Sequence, residues 1–416
     1  LAFVMVFTGM GIGSWGMDTA WASGWNGTEI SKPSQSEDGT YQISSAAELA
    51  WFAGLVNGKL TDETAQDLNA NAVLTADIDL NNKNWTPIGP ANAWNSTKAY
   101  QGSFDGNGKT ISHLYINNGA QFSGLFGGVN GEIKNILITQ SEVTASTGAI
   151  LVGLSHAKGI IQNCAVTNST LTPTATSLVN SAALCATNKG LIANCYGYKN
   201  KIFCNFPILN GSSTVNGNVG GLVGNAQLGI IQNCYVAKTT IQNSDEGKTA
   251  WGMMSGNNPK AGSGNCYYEK NADDQNQYDS PFGEEKTIGW LKTPEALKML
   301  GSAFELDESK NDGYPSVKIA VAIDKSKLED AINKAKNINK DEYYTSDDKY
   351  NAGKTSQKGF WTDMLAVIDA AQQVYDNAKS QNDIDKAAAT LDQSNPNSEL
   401  SKAIANLIPK TQLNAT

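Results

Sequence analysis

Arginine is absent from this chain and histidine occurs only twice, which excludes several kinds of chemistry. Without arginine there is no bidentate guanidinium clamp for phosphate or carboxylate groups. The formal net charge of −9 and the sequence pI of about 4.9 argue against nucleic acid as a partner. Binding to a phosphate backbone depends on clustered cations that release counterions, and this acidic chain offers no such excess.

Long hydrophobic runs are also scarce. The one at the N-terminus is too short to span a bilayer, and Ala20-Trp21-Ala22 follows it with the small-x-small pattern of a signal-peptide cleavage site. We expect residues 1–22 to be a secretory signal peptide that lacks its beginning, because no initiator Met or basic segment precedes it. A buried core strand is the alternative. No membrane span is expected in the mature chain.

Five segments of the chain repeat one pattern around a shared asparagine. Short runs of alternating apolar residues are interrupted by glycine and asparagine, and helical periodicity is absent. Such units, recurring every ~20–50 residues, are typical of a solenoid in which each turn covers its neighbour. We therefore predict a linker over residues 23–40 and a mainly β fold, a parallel β-helix, over 41–320. The shared asparagines are Asn135, Asn163, Asn194, Asn233 and Asn265.

The repeated core Ile-x-Asn-Cys-Tyr-Val predicts a geometry. Its Ile points inward, and Asn lies at a bend, where it tolerates left-handed backbone dihedrals. After the bend Cys points inward, Tyr outward and Val inward. Equivalent residues would stack at about 4.8 Å, which predicts a ladder of the five asparagines, an inner cysteine column and an outer tyrosine column. The columns are Cys164, Cys195, Cys234 and Cys266, and Tyr196, Tyr235 and Tyr267.

The cysteines allow three interpretations. Ile136 occupies the Cys position of the first repeat, and apolar residues replace Cys185 elsewhere, so buried free thiols that fill the core are favoured. Disulfides are the alternative in a secreted protein, and a metal site is the third. Cys204 fits neither column and is the best candidate for an exception.

Aromatic residues suggest two binding surfaces. An outward tyrosine column can stack against sugar rings, although stacking of the rings on each other for sheet stability is the favoured interpretation. Trp85, Trp94 and Tyr100 lie close together in sequence and could form a second aromatic patch. Capping of one end of the solenoid is the favoured interpretation for these three residues.

The repeats resemble a known family. Gly221-Leu-Val-Gly, followed by Gly229-Ile-Ile-Gln-Asn-Cys-Tyr-Val, resembles the GLUG repeat of bacterial surface proteins and IgA-cleaving metallopeptidases. Trp85-Thr-Pro-Ile-Gly and Gly313-Tyr-Pro-Ser-Val resemble the motifs before and after such repeats. The resemblance covers about residues 41–320 and implies a right-handed parallel β-helix in secreted or wall-attached proteins of Gram-positive or anaerobic bacteria. It implies little about chemistry.

From residue 324 the period changes to that of a helix. Three amphipathic stripes predict a three-helix bundle over 324–410. The third stripe is broken near Pro396, which cannot continue a helix, and is expected to resume at Leu400, Ile404 and Leu407. Leu328-Glu-Asp-Ala-Ile, Tyr343-Tyr-Thr and Trp361 resemble the FIVAR module, which is usually credited with glycan or matrix binding. Residues 411–416 are expected to be a tail or linker.

Candidate catalytic groups are few. His113 and His156 form no His-Glu-x-x-His motif, which a zinc peptidase would need. Asp77 and Asp79 share a strand face, and Asp105 precedes a Gly-Asn-Gly turn. A structural role is favoured for these carboxylates, with calcium binding and catalysis as alternatives. We expect no enzyme activity, no metal and no cofactor.

These observations predict a noncatalytic, adhesin-like binding protein that is secreted or lies at the cell surface. Its expected partner is a glycan or an extracellular protein of the host or cell wall. The candidate binding residues are Tyr196, Tyr235, Tyr267, Trp85 and Trp94. An accessory region of a carbohydrate-active enzyme and a purely structural stalk are the alternatives.

Overall fold

The computed structural model divides into two compact units, Leu1–Ala320 and Val321–Thr416. The expected signal peptide, the expected tail and Trp94 lie outside the described residues. The described residues are 24–62, 64–90, 95–174, 178–204, 208–209, 212–213, 216–243, 249–269, 282–308, 310–319, 325–339, 360–377 and 381–405.

The first unit begins with short strands around one helix. Ser45 caps this helix, accepting a hydrogen bond from Glu48 N at 3.3 Å, while the Glu48 carboxylate accepts one from Ser44 N. The expected linker 23–40 contains a strand and the buried Trp25. The elements are β1 (Ser34–Gln35), β2 (Tyr41–Ile43), α1 (Ala46–Asn57), β3 (Ala72–Leu74), β4 (Ile78–Asp79) and a 3-10 helix at Ser96–Lys98.

Short strands then recur along the chain in the same order. The first two groups are β5 (Ser103–Asp105), β6 (Thr110–Ser112), β7 (Tyr115–Asn117), β8 (Gln121–Ser123), β9 (Phe126–Val129), β10 (Glu132–Lys134), β11 (Leu137–Thr139), β12 (Glu142–Ala145), β13 (Thr147–Ala149) and β14 (Val152–Ser155). The next are β15 (Ile160–Gln162), β16 (Ala165–Thr167), β17 (Thr170–Pro173), β18 (Leu178–Ala182), β19 (Cys185–Asn188), β20 (Leu191–Ala193), β21 (Tyr196–Tyr198) and β22 (Lys201–Cys204). The last are β23 (Ile208–Leu209), β24 (Ser212–Ser213), β25 (Asn216–Gly220), β26 (Val223–Asn225), β27 (Ile230–Ala237), β28 (Thr240–Asn243) and β29 (Thr249–Gly252).

Each of these strands, apart from the antiparallel hairpin β23–β24, pairs in parallel with its equivalent one repeat away. In the first sheet Ile161 lies between Ile133 and Ile192, its register partners on either side. The other sheets run β7-β12-β17-β22-β28, β8-β13-β18-β25-β29 and β9-β14-β19-β26. The prediction of a mainly β fold with parallel strands in stacked sheets is therefore confirmed.

Register pairing brings equivalent inward residues into one continuous core. Ile133, Ile161, Ile192 and Ile231 are fully buried there, and Phe52 of α1 joins them at the N-terminal part. Glycine is required where neighbouring repeats approach closely. A Cβ atom at Gly190 would lie 2.1 Å from the carbonyl oxygen of Gly159.

The first unit ends with a segment that does not follow the repeat pattern. We call the described residues of 288–317 the cover segment. It follows β30 (Gly264–Glu269) and β31 (Glu284–Glu285), and contains a 3-10 helix at Trp290–Lys292, α2 (Pro294–Leu300), β32 (Phe304–Glu305), a 3-10 turn at Asn311–Gly313 and β33 (Ser316–Val317). Strands β32 and β33 pair in antiparallel fashion.

The second unit contains four described helices where the sequence predicted three. The predicted third helix is in two pieces, because the chain turns between Leu391 and Ser398 and Pro396 within this turn has no N–H to continue a helix. Ser398 caps the second piece by accepting from Ser401 N at 3.1 Å. None of the described helices is long and apolar enough to cross a membrane. They are α3 (Ser326–Lys336), α4 (Phe360–Asn377), α5 (Gln381–Thr390) and α6 (Glu399–Ala405).

Candidate functional site

The asparagine shared by the repeats adopts a left-handed conformation in all five, with φ between 51° and 56°. Each side-chain Nδ2 donates to the Oδ1 of the asparagine one repeat earlier, at 3.0–3.2 Å. The series ends at the carboxylate of Asp105, which accepts from Asn135 Nδ2 at 3.0 Å. All these hydrogen bonds point in one direction, an arrangement in which each polarises the next. The members are Asn135, Asn163, Asn194, Asn233 and Asn265.

The cysteines lie inside the stacked sheets, and all six are buried thiols that form no disulfide. The amide nitrogens of Cys164 and Cys195 lie 3.5 and 3.4 Å from the sulfur atoms of Cys195 and Cys234. Burial raises the pKa of the Cys185 and Cys204 thiols to about 12, so these thiols are poor nucleophiles. Cys204, the expected exception, is also buried, on β22. The column is Cys164, Cys195, Cys234 and Cys266.

The tyrosine column points away from this core, but it does not reach solvent. Tyr196, Tyr235 and Tyr267 are only 4%, 0% and 4% exposed. The rings of Tyr196 and Tyr235 are stacked with centroids 5.0 Å apart and an interplanar angle of 2°. The expectation that these rings are exposed is wrong, because the cover segment packs over them and forms a second hydrophobic cluster. In this arrangement the rings are not available as a sugar platform.

Polar contacts fasten the cover segment to the tyrosine hydroxyl groups. Asn311 Nδ2 donates to the Tyr196 hydroxyl at 2.9 Å, and the Tyr235 hydroxyl donates to the carbonyl oxygen of Pro315. The Tyr314 hydroxyl donates to Glu269 Oε2 at 2.8 Å. The same buried carboxylate accepts from the backbone N–H groups of residues 289 and 291 at 3.0 and 2.7 Å. These bonds satisfy polar groups that would be costly to bury alone.

Asp312 adds a charged contact that the sequence did not suggest. Its Oδ2 accepts from Lys199 Nζ and the Tyr198 hydroxyl at 2.7 Å each, and lies 3.4 Å from Lys238 Nζ. The hydrogen bond from Lys199, followed by that from Tyr198, holds the pKa of Asp312 well below its usual range. Gly313-Tyr-Pro-Ser-Val was the one signal in this region, and it indicated where the repeats end rather than what the segment contacts.

The second predicted aromatic patch is part of the protein interior. Trp85 is 2% exposed, and its Nε1 donates to the carbonyl oxygen of Leu125 at 3.2 Å. Tyr100 is fully buried and donates to Ala70 O at 2.8 Å. The expectation of an exposed patch is therefore wrong for these two residues, because both pack within the N-terminal part of the core. Trp94 lies outside the described residues.

A small cleft lies beside Trp85, at the C-terminal end of α1. Its volume is about 230 Å³, and its lining includes Trp25, Ile30, Asn57, Lys59 and Trp85. Asn57 Nδ2 donates to Pro87 O at 2.9 Å. The buried Oδ1 of the same side chain has no hydrogen-bond partner among the described residues. The cleft therefore combines an apolar wall, an amide oxygen without a donor and a lysine at the rim.

The carboxylates considered for catalysis bind backbone or neighbouring side chains. Asp77 Oδ1 accepts from Thr110 N at 2.8 Å, and Asp105 Oδ1 accepts from Asn107 N at 2.7 Å. Asp79 Oδ1 lies 2.8 Å from His113 Nδ1. Among the described residues no group of three or more His, Cys, Asp and Glu side chains is arranged to hold a metal ion.

The helical unit has two clefts of its own, with volumes of about 610 and 600 Å³. The first lies between α3 and α5 and is lined by charged residues such as Lys327, Asp330 and Asp385. The second lies along α4 and α5, with Val367 and Ala371 among its lining residues and Lys386 at its edge. Neither contains a cluster of described aromatic side chains of the kind that stacks on sugars.

Comparison with known proteins gives limited similarities, and no family model matches the chain. Over 135 residues, which are 31% of this chain and 15% of the relative, it is 29% identical to a "Putative Gly-rich membrane protein" of Evansella cellulosilytica. Over 139 residues, 30% of this chain and 1% of the relative, it is 32% identical to "Halomucin" of Haloquadratum walsbyi. The chain thus spans a small part of either relative.

One solved structure is similar over most of its length. The crystal structure of a "putative immunoglobulin A1 protease" from Bacteroides ovatus matches 70% of this chain and 95% of its own, with 16% sequence identity. The TM-score is 0.37, and a similarity at this level supports no argument about function.

Proposed function

We propose that this chain is a noncatalytic binding protein of the adhesin type that is secreted and lies at the cell surface. In this proposal residues 1–22 direct secretion, residues 41–320 form a right-handed parallel β-helix of the GLUG type, and residues 324–410 form a FIVAR-like module. The names of the two sequence relatives, a membrane protein and a halomucin, support a place at a cell surface.

One observation carries the proposal: the side chains that recur in the repeats are used inside the protein. The asparagines bind one another, the cysteines fill the core, and the tyrosines lie beneath the cover segment. The acidic side chains Asp77, Asp79 and Asp105 are engaged with nearby groups. Side chains used in this way stabilise the stacked sheets. This supports a role in displaying a binding surface rather than in catalysis.

The cleft beside Trp85 is the binding site that we propose for a glycan or an extracellular protein. An acceptor such as Asn57 Oδ1 costs about 1–3 kcal/mol when it is buried without a partner. Because this oxygen is itself buried, a hydroxyl or amide donor of a ligand would recover part of this cost only by displacing the side chains that cover it. Ile30, 51% exposed at the rim, supplies apolar contact area, and Lys59 supplies a charged donor.

A microarray of glycans and matrix proteins tests this function with the full chain. We expect saturable binding that is lost in the double variant Ile30→Ala, Lys59→Ala. The matched control is Lys158→Ala, which removes an exposed lysine that does not line the cleft. Binding that is unchanged in the cleft variant would refute this site. Release of reducing sugar would refute the noncatalytic assignment.

A purely structural stalk is the second candidate, and the covered tyrosine column favours it. The flat aromatic surface most suited to a ligand is occupied by the protein's own residues. Absence of binding to every glycan and matrix protein on the array would favour the stalk.

A further inference from the structure

The cover segment contacts repeats that lie well before it in the chain. Its polar contacts reach the third repeat at Tyr196 and Tyr198, the fourth at Tyr235 and the fifth at Glu269. The repeats are numbered here by their asparagines, so that Asn194 belongs to the third. The segment therefore joins three consecutive repeats through side chains, in addition to their strand pairing.

Such a contact matters because each repeat in a stack otherwise contacts only its nearest neighbours. Among the described strands, β28 at the end of its sheet pairs with β22 alone, and β29 pairs with β25 alone. Tension applied to the C-terminal end of a stack would then remove the last repeat first and the others one after another. A protein anchored at a surface and bound to a partner experiences tension of this kind.

The contacts that would meet such tension first are concentrated near the exit of the chain. Asn311, Asp312, Tyr314 and Pro315 all lie within the seven residues that end with β33. Strand β33 is in turn paired with β32, whose Phe304 packs against the ring of Tyr235 at 5.9 Å. Tension that arrives through residue 318 therefore reaches this group of contacts before it reaches β30.

The residues opposite Asp312 show that this contact is local to two repeats. Lys199 and Lys238 occupy the second bend of the third and fourth repeats, with φ of 54° and 50°. Gln140 and Asn168 occupy the same bend in the first two repeats. Left-handed dihedrals are unfavourable for lysine, so the backbone gives no reason for lysine there. The ion pairs with Asp312 give a reason for lysine at these two positions.

We propose that the cover segment is a mechanical clasp, which transfers tension from the chain after residue 317 to the third and fourth repeats and protects the fifth from peeling. This inference rests on the proposed surface function, because only an anchored protein meets tension. The clasp acts by requiring that contacts to three repeats break before the terminal strands can separate.

Single-molecule pulling of the full chain, held at its two ends, tests the clasp. In the wild type we expect the cover segment and the repeats to open in one step, besides the separate step of the helical unit. In the double variant Tyr235→Phe, Asp312→Asn an additional step at lower force should come first. It should lengthen the chain by at most about 10 nm, the extended span of residues 288–317. Tyr115→Phe, on a strand that the cover segment does not touch, is the matched control and should behave as wild type.

Two results would overturn the clasp. One is a double variant whose traces are the same as those of the wild type, and the other is an early step of this length already present in the wild type. Circular dichroism before pulling shows whether the variant has folded. If the double variant is unfolded, Asp312→Asn alone, at a half-exposed side chain, should lower the opening force, and an unchanged force refutes the clasp. The microarray decides the binding function independently of these traces.

Discussion

At the scale of single residues, the asparagine of the ladder has two separate physical roles in each repeat. Its backbone adopts a left-handed conformation that costs most residues about 1–2 kcal/mol. Its side chain donates to one neighbouring repeat and accepts from the other. Glycine could adopt the left-handed backbone but has no side chain to donate or accept a hydrogen bond. Glutamine could not adopt this backbone as easily. The recurrence of asparagine follows from both requirements together.

Two substitutions of Asn194 separate these roles. In Asn194→Ala both neighbours in the ladder lose a hydrogen bond and the new side chain is strained. We expect a loss of about 1–3 kcal/mol in the free energy of unfolding, because water compensates the half-exposed amides only in part. In Asn194→Gly the strain is absent, and the loss should be smaller by about 1 kcal/mol. Chemical denaturation of both variants measures the difference. A glycine variant that is less stable than the alanine variant would contradict this account.

At the scale of elements, the sequence predicted which side of the sheet the tyrosines occupy but not what covers them. The period of two along a strand, reset at Asn233, places Cys234 and Tyr235 on opposite faces. The partner of Tyr235 is Pro315, 80 residues later in the chain. No local pattern connects residues at that distance, so the column could be predicted and its burial could not.

Alkaline pH should release the cover segment. Burial raises the pKa of Tyr196 and Tyr235 above the ordinary tyrosine value of about 10. A folded pKa that is raised stabilises the folded state fully below the unfolded pKa, and this contribution is lost as pH rises through the folded pKa. We expect the two rings to ionise late and together with opening of the cover, as measured by tyrosinate absorbance and hydrogen exchange. In Tyr235→Phe the number of tyrosines that ionise in this late phase should be smaller by one. Opening below pH of about 9 would contradict this prediction.

The close approach of neighbouring repeats gives a prediction for glycine. In Gly190→Ala the new Cβ would meet the carbonyl oxygen of Gly159, and backbone atoms cannot move aside cheaply. We expect a loss of about 1–3 kcal/mol, typical of overpacking. Gly264→Ala is the matched control, since nothing lies within 4 Å of its added Cβ. Equal stability of the two variants in chemical denaturation would show that the repeats do not approach this closely.

At the scale of the whole molecule, each of the two units has a hydrophobic core of its own residues. The buried residues of the first unit form two clusters that end at Tyr314, and those of the second unit begin at Leu328. In the sequence, glycine-rich strands give way to helical periodicity near the same position. The break of the last helix at Pro396 was visible as well, and the apolar stripe that resumes at Leu400 and Ile404 indicated the helix after it, α6 (Glu399–Ala405).

A fragment of residues 24–320 should therefore keep the fold of the first unit. We expect its denaturation midpoint to match the corresponding transition of the full chain, because the hydrophobic clusters of the first unit include no described residue of the second. Circular dichroism during chemical denaturation measures both midpoints. A fragment that is unfolded in water would show that the first unit needs residues beyond 320.

The covered tyrosine column is the feature on which both the proposed function and the proposed clasp depend. Nitration of the folded protein, mapped to single residues by mass spectrometry, measures the access to each ring directly. We predict that Tyr115, which is partly exposed, reacts while Tyr196, Tyr235 and Tyr267 remain unmodified until the protein is denatured. Nitration of the three column residues as fast as Tyr115 would contradict the account.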